Sequence, residues 1–189
     1  MRISGYVVLW NSLSLDLGGF REQFARGAFT ESLRQRDQIL LNGHDSVRIL
    51  ARKSTGGLTL KEDSTGLHFE ASLPDTTEGR DVHRLVSDRI LQNMSFGFSI
   101  PDHRGEEWTL AKDGSLLRTV RQASLIEVSP VAMPAYPSST VKSTGEAIRA
   151  SMSAPVPRKA KAGPIGQARA QAIRERMRTR QHEAVVCGF

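Results

Sequence analysis

The chain has 189 residues with 26 Lys/Arg, 20 Asp/Glu and one cysteine, enough for a single well-buried core and too few cysteines for an intrachain disulfide. Its net charge of +6 divides unevenly: from residue 142 onward ten Lys/Arg face three acids, whereas residues 1–141 carry 16 basic and 17 acidic side chains. The basic excess belongs to the tail, which argues against a nucleic-acid-binding body; with no signal peptide and no apolar run of about 20 residues, the expectation is a soluble protein of a reducing, intracellular compartment.

In chain order, Ile3 to Trp10 reads as a strand, followed by a loop around Asp16-Leu17-Gly18-Gly19. Ala28 to Arg36 reads as a short helix with Phe29 and Leu33 four apart. Ile39 to Leu41 is a short apolar run leading to His44. Gly57–Lys61 and Gly66–Leu73 form a hairpin with its turn at Asp63-Ser64-Thr65-Gly66; Leu67, Phe69, Ala71 and Leu73 alternate with polar residues, so one face is buried. Asp75-Thr76-Thr77-Glu78 offers hydroxyl caps and acids for a helix start, and Val82, Leu85, Val86 and Ile90 continue a stripe to about Gln92. The strand from Asn93 follows. Glu106–Leu110 and Leu116–Val120 read as a second hairpin around Asp113-Gly114, and Ala123–Ser129 as the last strong strand, ended by Pro130 and Pro134. Residues 1–141 thus form one strand-rich domain. Residues 142–189 read as a flexible basic tail, because residues 143–168 are rich in Ala, Ser, Gly and Pro, with a basic helix over 169–180.

Three settings carry candidate chemistry. In Asn93-Met94-Ser95-Phe96-Gly97-Phe98 the strand period sends Met94, Phe96, Phe98 and Ile100 to one face and Ser95, Gly97 and Ser99 to the other. One face can anchor in a core, while the other carries a hydroxyl beside a gap where a peptide can approach. His44 follows Asn42-Gly43, and its neighbour Asp45 would point away from it on a strand. Glu127 lies between Ile126 and Val128 in an apolar strand and needs a partner there. That partner is an arginine, Arg118 or Arg121, or else the far nitrogen of His44. A serine hydroxyl becomes a nucleophile when an imidazole takes its proton, and the imidazole in turn needs an acceptor on its other nitrogen. Donors for the oxyanion are worth about 3 kcal/mol each. The Gly-x-Ser-x-Gly elbow of α/β-hydrolases is missing. The five histidines are scattered, Cys187 is terminal and no phosphate-binding glycine loop occurs, so neither a metal nor a cofactor is expected.

Six motifs in order resemble the prohead (capsid-maturation) proteases of tailed bacteriophages, a family related in fold to the herpesvirus assemblins. They are Gly5-Tyr6 with the Asp16–Phe20 loop, Gly27-Ala28-Phe29, Asn42-Gly43-His44-Asp45, the Gly66-Leu67 hairpin with Gly79-Arg80-Asp81-Val82, Met94-Ser95-Phe96-Gly97-Phe98, and Glu127-Val128-Ser129 through Pro134-Ala135. Each is weak by itself, and their order over some 135 residues makes the resemblance specific. It implies a mainly β (α+β) fold, a closed β-barrel ringed by a few helices. It also implies catalytic roles for Ser95 as nucleophile, His44 as general base and Glu127 as third member. Assemblins place a second histidine in that last role, for which His68, His83 and His103 are the rivals. Ser99 is the rival nucleophile.

The function so implied is a serine endopeptidase that cuts capsid-protein and scaffold segments, and itself, during head assembly. The implied setting is the cytoplasm of a bacterial host, inside the assembling procapsid, with the gene carried by a phage or an integrated prophage. Its partners would be the major capsid protein and scaffold, with self-association left open, no membrane, and at most weak nucleic-acid contact through the tail. The alternative is a non-catalytic assembly or scaffolding factor that retains the fold; the co-occurrence of Ser95, His44 and Glu127 argues against it.

Overall fold

Short strands with alternating polarity build most of the molecule, seen here in a computed structural model that describes residues 1–111 and 114–143. The strands are β1 (Arg2–Leu9), β2 (Phe20–Phe24), β3 (Ile39–Asn42), β4 (Asp45–Arg52), β5 (Leu58–Glu62), β6 (Gly66–Ser72), β7 (Asn93–Ser99), β8 (Glu106–Leu110), β9 (Leu116–Val120), β10 (Ser124–Val131) and β11 (Lys142–Ser143). Two α-helices, α1 (Thr30–Gln35) and α2 (Thr77–Ser87), and a short 3-10 turn at His103–Gly105 complete the set among the described residues, so the protein is mainly β with few helices. No helix among the described residues is long and apolar enough to cross a membrane. The tail beyond Ser143, with the helix expected over 169–180, lies outside the described residues.

Hydrogen bonding arranges the strands in three sheets, ordered β11-β1-β6-β5, β4-β3-β10-β7 and β2-β9-β8. Most neighbours are antiparallel, but β3 runs parallel to β10 and β2 parallel to β9. Both expected hairpins are present, β5 with β6 and β8 with β9. In β6 the apolar face goes inward: Leu67, Phe69 and Ala71 are buried. Helix α2 is capped as expected, the Thr76 hydroxyl accepting from the Gly79 N–H at 3.1 Å. It buries Val82 and Val86 but stops at Ser87, short of Gln92, because Arg89 adopts a left-handed φ of 57° and Ile90 turns out to solvent. Helix α1 begins at Thr30 rather than Ala28; Ala28 and Phe29 are buried in the turn that precedes it.

No sheet closes into a barrel, which corrects the closed β-barrel implied by the resemblance. The physical reason lies between β1 and β7. The segment Ser139–Val141 lies there and fastens both strands without continuing a ladder between them. Thr140 N–H donates to the Tyr6 carbonyl (2.8 Å), and its hydroxyl accepts from the Tyr6 N–H (3.1 Å). The Ser139 hydroxyl accepts from the Met94 N–H (3.0 Å) and donates to the Met94 carbonyl (2.7 Å). This strap lies so close to β1 that a Cβ at Gly5 would sit 2.0 Å from the Thr140 carbonyl oxygen, which explains the glycine. Lys142 and Ser143 then pair with Ser4 and Ile3, so the folded body runs on through Ser143.

An aromatic cluster ties the sheets together beneath β7. Phe24 is fully buried, with ring centroids 5.0 Å from Phe29, 5.2 Å from Phe96 and 5.0 Å from Phe98. Beside it a buried ionic group joins β2 to β9: the Arg118 guanidinium lies 2.8 Å from the Glu22 carboxylate and 3.1 Å from that of Glu106. Tyr136 donates its hydroxyl to Glu22 at 2.6 Å. Burial pushes the Glu22 carboxyl up from its ordinary range, and Arg118 opposes that shift. Truncating Phe24 to alanine is expected to cost about 3–5 kcal/mol, measured as unfolding free energy in urea, because it removes the ring on which Phe96 and Phe98 both rest.

Candidate active site

Strand β7 is oriented by its apolar residues. Met94, Phe96 and Phe98 are buried, so Ser95, Gly97 and Ser99 turn to the opposite face, as the alternation predicts. Pairing with β10 fixes what each one meets: Ser95 lies opposite Ser129, and Gly97 opposite Glu127. Directly opposed residues of an antiparallel pair share a face, with Cβ atoms about 4.5–5.5 Å apart. Four positions, Ser95, Gly97, Glu127 and Ser129, therefore form one surface.

His44 reaches that surface from the β3–β4 hairpin. Asn42 pairs with Asp45, leaving Gly43 and His44 as a two-residue turn with φ values of 61° and 64°. Positive φ at both central residues is the mark of a type I′ turn, whose twist suits a hairpin. Glycine takes that conformation freely, and histidine is one of the few other residues that enters it with some frequency. Because β3 runs parallel to β10, the turn emerges beside Pro130 and Ser129. The Gly43 N–H donates to the Pro130 carbonyl (3.3 Å), and the His44 N–H to the Ser129 hydroxyl (3.1 Å). On its other side the turn is held by α2: the Asn42 amide and the Arg48 guanidinium both bind Glu78, Arg48 at 2.8 Å. These two partners hold the Glu78 carboxyl below its usual range.

The carboxylate of Glu127 is gripped at both oxygens. Its Oε1 lies 2.7 Å from His44 Nδ1, and its Oε2 accepts the Ser129 hydroxyl at 2.6 Å. Glu127 and its histidine partner are shielded, their side chains being 10 % and 25 % exposed. Opposite a carboxylate acceptor, Nδ1 carries the proton and Nε2 is left as the basic nitrogen. Room for the carboxylate is made by Gly97: a Cβ there would lie 2.8 Å from Glu127 Oε1. The arginines considered as partners for Glu127 are engaged elsewhere, Arg118 with Glu22 and Glu106, and Arg121 with Glu107.

The structure thus joins His44 to Glu127 and sets Ser95 on the rung beside Ser129, 7 % exposed. The hydrogen bonds among the described residues do not include one between Ser95 and His44. Catalytic contacts of this kind often tighten only when substrate is present. The rival residues fall elsewhere. Ser99 faces Ser124 across β10, beyond a bulge. His68 stacks edge-on against Tyr6, with centroids 5.1 Å apart, in another sheet. His83 is on α2, and the ring of His103, 90 % exposed, lies beside Asp102. Asp45 accepts from the Val47 N–H within its own strand. Among the described residues no group of three His, Cys, Asp or Glu could hold a metal ion.

Ser129 is the residue of this constellation to which the sequence reading gave no role. The signal was available, since a residue two positions after Glu127 on a strand must share its face.

A family model described as caudovirus prohead serine protease matches residues 1–153 of the chain. No curated protein matches it.

Proposed function

Because the chain belongs to the caudovirus prohead serine protease family, we propose that it is a serine endopeptidase in which Ser95, His44 and Glu127 act as nucleophile, general base and orienting acid. One observation supports the assignment above all: the Glu127 carboxylate, in a shielded site cleared by Gly97, binds Nδ1 of His44 and so leaves Nε2 as the nitrogen able to take a proton. The Ser95 hydroxyl attacks the scissile carbonyl while Nε2 removes its proton. The imidazolium that results is stabilised by Glu127, and it then protonates the leaving amine. Water repeats the cycle to release the acyl group. No step in this scheme calls for a cofactor.

The substrates we assign are capsid-protein and scaffold segments within the procapsid, together with the chain's own tail. A tethered segment reaches an active site, its own or a neighbour's, at high effective concentration. The ten cations from residue 142 onward favour docking on an acidic surface, weakened by salt. A chain ending after residue 153, where the family match ends, is expected to cut capsid protein supplied in trans yet fail to enter the procapsid. Inactivity of that shortened chain on a free substrate would place the rest of the tail within the catalytic unit. Cleavage itself is tested by expressing the full chain with its capsid protein and reading the products by intact mass.

Gly97→Ala separates function from folding. The three nearest atoms to the added Cβ all belong to the Glu127 side chain, Oε1 at 2.8 Å, Cγ at 3.3 Å and Cδ at 3.5 Å, so the strain falls on that side chain and not on backbone. The melting temperature should stay within a few degrees of wild type. Activity should fall towards, without exceeding, the roughly 10⁴-fold loss seen when a triad's acid is disabled.

A further inference from the structure

Ser129 takes no part in the proton transfers just described, yet it is fully buried and contacts both residues that manage the proton. We propose that Ser129 is a positioning residue, one hydroxyl that sets the His44 turn and the Glu127 carboxylate in register with each other; this rests on the assignment of His44 and Glu127 above. A serine hydroxyl has one proton, and here it goes to Glu127 Oε2 at 2.6 Å. The lone pairs of the same oxygen therefore remain for the His44 N–H, 3.1 Å away. The imidazole's backbone and its carboxylate partner are thus both referred to a single atom on β10.

The need for such a device follows from the two residues it holds. Glu127 has several rotatable bonds, and it lies over Gly97, which has no side chain to hold it in place. Pinned at Oε1 alone, the carboxylate could turn about its own bonds and leave Nδ1. With Oε2 held as well, its plane is fixed. His44 sits in a two-residue turn at φ 64°, so its ring goes where the turn goes. The remaining tie from that turn to β10, from the Gly43 N–H to the Pro130 carbonyl, is longer at 3.3 Å. Ser129 is not a competing nucleophile, because its proton is committed to a carboxylate and its side chain is closed to solvent.

The test compares full-length wild type with Ser129→Ala and Ser129→Cys, the second keeping a similar volume and a weak donor in case the alanine variant does not fold. Three quantities are read: kcat and KM on purified capsid protein, the fraction of Ser95 that a fluorophosphonate finally labels, and the low-field proton resonance of His44 Nδ1–H. Ser129→Ala should lower kcat per labelled site by about 10- to 100-fold, the size of one hydrogen bond to an ionised group, with KM little changed. Its Nδ1–H resonance should move upfield or broaden, and Ser129→Cys should fall between the two. Wild-type kcat per labelled site with an unmoved resonance, in whichever variant folds, would overturn the proposal. A loss that merely tracks the unlabelled, unfolded fraction would overturn it too. If wild type is not labelled at Ser95, the protease assignment fails instead, and the resonance still decides what Ser129 does.

Discussion

Replacing Ser95 by alanine is expected to abolish proteolysis, a fall on the order of 10⁶ in turnover, as for loss of the nucleophile in other triads. Ser99→Ala is the matched control. Both serines lie on the same face of β7, yet four residues of strand separate them by about 13 Å, and Ser99 pairs with Ser124 beyond a bulge in β10. A variant at Ser99 should therefore cleave at close to the wild-type rate. Labelling with a fluorophosphonate followed by peptide mapping decides between them, and label on Ser99 would sink the assignment. Because Ser95 is small, largely buried and free of the hydrogen-bonded clamp, its removal should leave the melting curve nearly unchanged.

His44→Ala should be as damaging as Ser95→Ala, since without an imidazole the serine keeps its proton. Glu127→Gln should be milder. The amide can still contact Nδ1, but it favours the wrong tautomer and supplies no charge for the imidazolium, a loss of about 10⁴ by analogy with other triads. His68→Ala tests the alternative third member. His68 packs on Tyr6 in another sheet, so this change should leave turnover intact. The opposite pattern, an inactive His68→Ala beside a fully active Glu127→Gln, would transfer the role to His68. All four variants can be compared on one capsid-protein substrate by initial rates.

What could be read from the sequence was local. The alternation in β7 gave the correct face for Ser95 because Met94, Phe96 and Phe98 are large enough to dictate which side is buried. Thr76 announced the start of α2, and the two hairpins followed from turn residues between alternating runs. Three strands went unseen: β11 is two residues long and falls where the tail is expected to begin, and β4 and β2 are hidden for opposite reasons. In β4 the first five of eight residues are exposed, so no buried face exists to produce an alternation. In β2 the inward face is Glu22 with Phe24, and Glu22 reads as solvated until its buried partner Arg118 arrives on another strand. The partner of Glu127 was equally hidden: sequence left arginine and His44 both open, and only the parallel pairing of β3 with β10 brings His44 within reach. The same limit applied to the strap, since nothing local in Ser139-Thr140-Val141 reveals that it fastens β1 to β7.

That strap has a bearing on timing. The strand carrying Ser95 is fastened at Asn93 and Met94 by Ser139, a residue made 44 positions after Ser95. At ordinary synthesis rates that is an interval of about 2 to 9 s. Only over the last 12 of those residues, about 0.6 to 2.4 s, does the nascent chain hold Ser95, His44 and Glu127 without the clasp that sets β7 against β1. The clasp thus stands as a catch at the far end of the described body, and a chain stopped at residue 138 should fold loosely around β7 and leave Ser95 unreactive towards a fluorophosphonate. Full labelling of such a chain would show that the catch plays no part.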